Sequence, residues 1–172
     1  MNSAQSGVAL ESLRLPEDPQ ALAELSARLM YDNDPATQGL GISLIEVTPG
    51  CARMQMTVRP DMLNGHRTCH GGFIFTLADS TFAFACNSRN QATVASGCTI
   101  DFLAPGLLGD VLTADASEAS LAGRTGVYDI LVTNQDGKRI ALFRGRSYRI
   151  KGTVVEEAMR ANFEVVAGDG NV

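Results

Sequence analysis

The residues most suited to chemistry lie in the stretch HGGFIFTLADSTFAFACNS, which runs from His70 to Ser88. Its only carboxylate, Asp79, stands among Phe, Ile, Leu and Ala residues. On a helix, the neighbours of Asp79 at spacings of three and four residues are apolar except for Thr76. Because apolar surroundings make a carboxylate more basic, Asp79 is a candidate general base beside a cleft. The alternative is an Asp that reaches the surface or bonds to a loop, since most Asp residues are exposed.

A glycine pair, Gly71 and Gly72, precedes the apolar run. A helix that begins there leaves free N–H groups in its first turn, and these groups attract an oxygen that carries negative charge. Glycine has no Cβ, so a ligand can approach its backbone closely. The pair is therefore a candidate donor to a reacting carbonyl, although Gly-Gly before a helix is also typical of a simple turn.

Gly71 and Asp79 are eight residues apart, which corresponds to about 12 Å along a helix. Two groups so far apart on one helix cannot act on the same carbonyl. In a two-fold dimer, however, Asp79 of one chain can face Gly71 of the other. If both groups are functional, the protein must therefore be an oligomer.

The loop before the helix, NGHRTCHGG, holds Asn64, His66, Cys69 and His70. The two histidines and the cysteine allow a zinc site as an alternative, but no fourth ligand stands at a recognisable spacing. Functionally, Asn64 can position substrate or water, and His70 can orient the loop. Both can equally be turn residues that bond to backbone groups.

The elements that position these residues follow from apolar spacing and turn signals. A helix is predicted to open at Asp18 or Pro19 and to stop at Asn33 to Pro35. Two strands follow around the turn at Pro49 and Gly50, and four more follow the long apolar helix. The segments APGLLGD, LAGR and QDG separate these last strands.

A single antiparallel sheet must bury one face, and the central apolar helix is the available cover. We therefore predict an α+β fold, with an antiparallel sheet of about six strands wrapped around one long central helix. The domain is expected to span residues 18–152. A loose N-terminal tail (1–17) precedes it, and a C-terminal tail (153–172) with a short helix over VVEEAMRANF follows it. The open edge of the sheet invites a second copy.

The composition indicates which partners to expect. The chain has 172 residues, 45% of them apolar, and a net charge of −5. This balance is typical of one globular domain and argues against nucleic acid as a partner. No apolar segment approaches the roughly 20 residues that span a bilayer, and the N-terminus lacks the pattern of a secretory signal. We expect a cytoplasmic protein without a membrane partner.

The string LNGHRTCHGGFIFTLADSTFAFACNS resembles the signature of the PaaI-type phenylacetyl-CoA thioesterases, which belong to the hotdog-fold superfamily. The later segments ASGCTIDFLAPGLLGD, TGVYDI and ALFRGRSYRI resemble the rest of that family. The resemblance covers about residues 25–152 and leaves both tails unmatched. It implies a hotdog fold and an active site between the subunits of a homodimer or homotetramer.

The resemblance also implies roles for individual residues. The catalytic carboxylate falls on Asp79, as general base or nucleophile. The amide that polarises the thioester carbonyl falls on Gly71, with His70 preceding it. The polar loop residue falls on Asn64, and the helical hydroxyl that holds the attacking water falls on Thr76. The resemblance implies neither a metal nor a redox cofactor.

The remaining candidates concern the substrate. Two alternating arginines on the last strand are candidates for the CoA phosphates, although a solvated basic face is an equal interpretation. Apolar side chains around the helix are candidates for the acyl group or plain core residues. The candidate substrate contacts are Leu63, Gly72, Phe75, Phe82, Arg144 and Arg146.

The function expected from the resemblance is hydrolysis of phenylacetyl-CoA, or a ring-hydroxylated form, to the free acid and CoA. One alternative is a thioesterase for other aromatic or medium-chain acyl-CoAs. The other is a non-catalytic acyl-CoA-binding protein of the same fold, which would not need a carboxylate beside the thioester.

Overall fold

The computed structural model describes residues 14–160. In it, one six-stranded antiparallel sheet with the order β1-β2-β4-β5-β6-β3 wraps around α3, and every strand contacts that helix. The elements are α1 Pro19–Asp32, α2 Pro35–Gly39, β1 Ser43–Thr48, β2 Cys51–Thr57, a 3-10 turn Pro60–Met62, α3 Gly71–Asn87, β3 Thr93–Phe102, β4 Val111–Ala122, β5 Thr125–Thr133 and β6 Arg139–Arg149. The predicted α+β hotdog architecture is confirmed.

The core lies between α3 and the inner face of the sheet. From α3, Leu77 and Phe82 are almost completely buried, and from β5 the alternate residues Tyr128 and Ile130 point toward them. The close approach of helix and sheet depends on Gly145 of β6, where an added Cβ would lie 2.8 Å from the Phe82 ring. Burial of these large apolar side chains is what holds α3 against the sheet.

Helix α1 begins where the sequence predicts. The Asp18 side chain caps it by accepting the Ala21 N–H at 2.8 Å, and Pro19 is its first residue. After Asn33 the chain forms the short α2, which the sequence patterns did not predict. The Asp34 carboxylate caps α2 by accepting the Thr37 N–H at 3.0 Å. The residues predicted to end α1 therefore also begin a second helix.

The hairpins match the predicted turns with one difference. The sequence patterns assign LAGR to a turn, but β4 continues through Leu121 and Ala122. Ala122 pairs with Thr125, so only two residues form the loop, and the first of them, Gly123, has a φ of 60°. The strands therefore extend further than the breaker residues indicate.

The two edges of the sheet differ in their cover. The short edge strand β1 contacts α1, whereas β3, with ten residues, forms the other edge. Val94 and Phe102, at opposite ends of β3, are 45% and 53% exposed. A long edge strand with exposed apolar side chains is open to pairing with another chain.

The predicted tails fall partly outside the described residues, which exclude 1–13 and 161–172. In the described part of the C-terminal tail, residues 154–160 are helical, as expected, and Val154 and Val155 are buried. The Val155 N–H donates to Asn90 Oδ1 at 3.0 Å. This part of the C-terminal segment therefore packs on the domain. Among the described residues, no helix is long and apolar enough to cross a membrane.

Candidate active site

Asp79 lies on the half-open face of α3, together with Gly72, Thr76 and Ala83. Its carboxylate is partly buried, and within residues 14–160 no hydrogen bond reaches it. Burial raises the pKa of Asp79 above its ordinary value, because the charged form loses hydration without gaining a partner. An unsatisfied, partly desolvated carboxylate of this kind is suited to accept a proton from water.

The first turn of α3 presents one free amide. The His70 side chain caps the helix, and its Nδ1 accepts the Gly72 N–H at 3.0 Å. The Phe73 N–H bonds to the His70 carbonyl at 3.0 Å. Among the described residues the Gly71 N–H has no acceptor, and it stands at the positive end of a 17-residue helix. It is therefore available to a carbonyl oxygen.

His70 orients the helix start. Its own N–H donates to the Met62 carbonyl at 2.8 Å, which fixes the backbone before the helix. Because Nδ1 accepts the Gly72 N–H, the neutral imidazole carries its proton on Nε2. The imidazole thus accepts the hydrogen bond of the Gly72 N–H, and the Gly71 N–H remains available to a ligand.

The loop that precedes His70 is organised by Asn64. Its Oδ1 accepts the His66 N–H at 2.9 Å and the Thr68 N–H at 3.3 Å. Arg67 takes a positive φ of 61° in this tight loop. The Asn64 Nδ2 donors have no partner among residues 14–160. The amide oxygen is therefore structural, and the amide NH₂ is free to contact substrate or water.

Thr76 lies one turn before Asp79, and its Oγ1 donates to the Gly72 carbonyl at 2.9 Å. The hydroxyl proton of Thr76 is therefore already used in a hydrogen bond to the helix backbone. The oxygen lone pairs remain as acceptors, so Thr76 can hold a water only by accepting from it. Its role as a water ligand stays a prediction.

The structure distributes the substrate candidates over both faces of the sheet. Phe75 is partly buried, with its ring edge-on to Phe143 at 5.5 Å, and Leu63 also packs against the core. Phe82 is 1% exposed and lies inside the core. A substrate role for Phe82 would require the core to open, so this prediction gains no support from its position.

Arg144 and Arg146 point to the outer face of the sheet, away from α3, as their alternation predicts. Arg144 forms a bidentate ion pair with Asp129, at 2.6 and 2.8 Å. It lines a groove of about 800 Å³ on this outer face, which contains neither Asp79 nor Gly71. Within one chain, the arginines are thus separated from the candidate catalytic groups, and their phosphate role stays a prediction.

The zinc alternative depends on the histidines and Cys69. Within residues 14–160, no three His, Cys, Asp or Glu side chains come together as a metal site. Cys69 is buried, which raises the pKa of its thiol to about 11. The contacts that the structure shows for His70 and Asn64 are to the helix start and to the backbone of the loop.

The sequence patterns did not indicate one residue that lies beside Gly71, namely Phe102. A Cβ added to Gly71 would lie 2.9 Å from Cζ of Phe102, so the aromatic ring stands directly over this glycine. Phe102 is the last residue of β3 and belongs by sequence to an ordinary apolar strand. Only the tertiary packing of β3 beside the helix start distinguishes it.

The comparisons with known proteins place this site in a family. The thioesterase superfamily model matches residues 66–141, which include the loop from His66 onward and the whole of α3. Over 133 residues, the chain is 54% identical to the acyl-coenzyme A thioesterase PaaI of Escherichia coli K12, with 77% of this chain and 95% of the relative covered. The chain therefore belongs to the thioesterase superfamily.

Solved structures give the same result. The structure of Escherichia coli PaaI, from the phenylacetic acid degradation operon, has a TM-score of 0.78 and 52% identity, with 79% of this chain and 99% of that chain covered. A variant of the phenylacetic acid degradation protein PaaI of Thermus thermophilus has a TM-score of 0.66 and 40% identity, with 68% and 100% covered. The predicted resemblance to PaaI and the thioesterase class are confirmed.

The raised pKa of Asp79 predicts a stability effect. The folded protein holds this proton more tightly than the unfolded chain, so its stability falls as the pH rises from the ordinary Asp value through the raised one. Above the raised pKa, Asp79 is charged in both states, and the loss of folding stability that it causes no longer changes with pH. We expect Asp79→Asn to raise the urea midpoint at pH 7.5, and the gain to shrink near pH 4.

The matched control is Asp136→Asn in the exposed turn before Gly137, where Asn-Gly suits the same turn. It should leave the midpoint nearly unchanged at both pH values. An Asp79→Asn protein that is less stable than the wild type at pH 7.5 would contradict the absence of a partner for the carboxylate.

Proposed function

We propose that the protein hydrolyses aryl-acetyl-CoA thioesters, with phenylacetyl-CoA or a ring-hydroxylated form as substrate, to the free acid and CoA. One observation carries the proposal. Within residues 14–160, the partly buried Asp79 carboxylate has no hydrogen-bond partner and the Gly71 N–H has no acceptor, and both lie on the central helix of a chain 54% identical to an acyl-coenzyme A thioesterase. The choice of phenylacetyl as the acyl group is supported by the similarity to proteins of phenylacetic acid degradation.

The proposed site is shared between two copies of the chain. Gly71 and Asp79 lie on one continuous helix, about 12 Å apart along its axis. The two groups of one chain therefore cannot act on the same thioester carbonyl. The edge strand β3 is the surface through which we propose that the copies pair, because it is long and carries exposed apolar side chains. Pairing of two such dimers gives the proposed homotetramer.

In the proposed reaction, the Gly71 N–H donates to the thioester carbonyl oxygen. Asp79 of the other subunit removes a proton from water as the water oxygen bonds to the carbonyl carbon. Negative charge then develops on the carbonyl oxygen, where the fixed amide and the helix dipole stabilise it. Collapse of this intermediate breaks the carbon–sulfur bond, and the CoA thiolate takes up the proton that Asp79 removed from water, which restores the carboxylate. Direct attack by Asp79, through an anhydride, is the alternative route.

We propose supporting roles for the remaining residues. The free Asn64 NH₂ and the Thr76 oxygen hold substrate or water, while Arg144 or Arg146 of a neighbouring subunit meets the CoA phosphates. Because an amide donor and a carboxylate base suffice for thioester hydrolysis, the proposed reaction uses no metal or redox cofactor. A cytoplasmic location accords with a CoA thioester substrate.

The proposal predicts a substrate profile. Phenylacetyl-CoA should be hydrolysed with a higher kcat/KM than hexanoyl-CoA or acetyl-CoA. Asp79→Asn should reduce kcat by about 10²- to 10⁴-fold while phenylacetyl-CoA is still bound, because general bases contribute rate enhancements of this size. The measurements are thiol release for kcat and calorimetry for binding. Near-wild-type turnover by Asp79→Asn would contradict its role, and binding without turnover by the wild type would favour the non-catalytic alternative.

The Gly71 amide can be removed with little change to the helix. Gly71 is the first helical residue, where proline is well tolerated, and His70 has φ −63° and ψ 133°, which suit a residue before proline. Gly71→Pro deletes the N–H and should lower kcat by about 10²- to 10³-fold, as expected for loss of an oxyanion donor.

The matched control is Gly71→Ala, which adds the same Cβ against the Phe102 ring but keeps the amide. We expect it to lose less than about tenfold in kcat, because only the amide donor acts on the developing charge. Equal losses in the two variants, with unchanged thermal stability, would show that the amide is not the donor.

A further inference from the structure

Phe102 stands at the point where β3 passes the beginning of α3. In β3, Cys98, Ile100 and Phe102 alternate onto the inner face, because they pair with Gly145, Phe143 and Ala141 of β6, which are buried. Cys98 and Ile100 pack against the core. Phe102 belongs to the same row but is 53% exposed, so this aromatic side chain reaches beyond the core.

The Phe102 ring covers the catalytic end of α3. A Cβ added to Gly71 would lie 2.9, 3.3 and 3.4 Å from three atoms of the ring. The ring and the Gly71 backbone are therefore neighbours with no side chain between them. A thioester whose carbonyl oxygen accepts from the Gly71 amide therefore lies close to this ring.

An apolar strip continues from the ring along the helix. We define the strip as Phe75, Ile100 and Phe102. Phe75 follows Gly71 by one turn of α3, and its ring lies edge-on to Phe143, whose partner across the sheet is Ile100. All three members of the strip are partly or fully open to solvent in the single chain, and the strip carries no charge.

We propose that Phe102 determines acyl-group specificity, by forming the wall against which the aromatic acyl group packs when its carbonyl is held by the Gly71 amide. This inference rests on the proposed thioesterase function. The polar, phosphate-bearing CoA portion has no complement on the strip, whereas an aryl group gains edge-to-face contact and apolar burial there.

The test compares two substrates in Phe102 variants. Phe102→Ala should lower kcat/KM for phenylacetyl-CoA by about ten- to a hundredfold, the range for a lost apolar contact in a specificity pocket. For acetyl-CoA, whose methyl group does not reach the wall, the change should stay within about threefold. Phe102→Tyr keeps the ring and should preserve the preference for the aryl substrate.

Leu121→Ala is the matched control, because Leu121 is 50% exposed and lies in the β4–β5 hairpin. It should alter neither kcat/KM value. If Phe102→Ala fails to fold, Phe102→Leu retains apolar volume and should still lose the aryl preference. Equal loss for both substrates in a folded Phe102 variant would overturn the specificity role, whereas a wild type without any acyl-CoA hydrolysis would overturn the proposed function itself.

Discussion

A single rigid helix separates the two groups on which the proposed chemistry depends. The Gly71 amide and the Asp79 carboxylate lie on α3, and the regular rise of a helix holds them about 12 Å apart. Nothing short of unwinding α3 can bring them together within one chain, and α3 is the most deeply buried helix of the fold, with Leu77 and Ala78 completely inaccessible. The proposed reaction therefore requires a second copy of the chain, and the exposed edge of β3 is the surface through which we propose that the copies pair.

The same burial that fixes α3 also tunes Asp79. The helix face around this residue is apolar apart from Thr76, so the carboxylate loses hydration, and no donor among the described residues compensates for the loss. At the start of α3, the His70 imidazole accepts the Gly72 N–H and leaves the Gly71 N–H without an acceptor within residues 14–160. The first residue and the middle of α3 thus each carry a polar group without a partner among the described residues, and such groups cost stability in exchange for reactivity.

Much of this arrangement was predictable from the sequence, and the exceptions have physical causes. The apolar run after the glycine pair predicts α3, and alternation with turn residues predicts the six strands, because both signals are local. The two extra residues of β4 and the short α2 were missed because register and capping override the breaker residues. Phe102 was missed because its place over Gly71 arises from packing between elements distant in sequence. For Phe82, no local pattern separates a substrate contact from a core residue.

The most direct test measures mixed dimers. Asp79→Ala and Gly71→Pro subunits carrying different affinity tags are co-expressed, and dimers that hold both tags are isolated and verified by native mass spectrometry. Each parent should be nearly inactive. In the hybrid one site carries both lesions and the other carries none, so we expect about half of the wild-type turnover per dimer. Verified hybrids that turn over phenylacetyl-CoA no faster than their parents would contradict a site built from the helix of one subunit and the aspartate of the other.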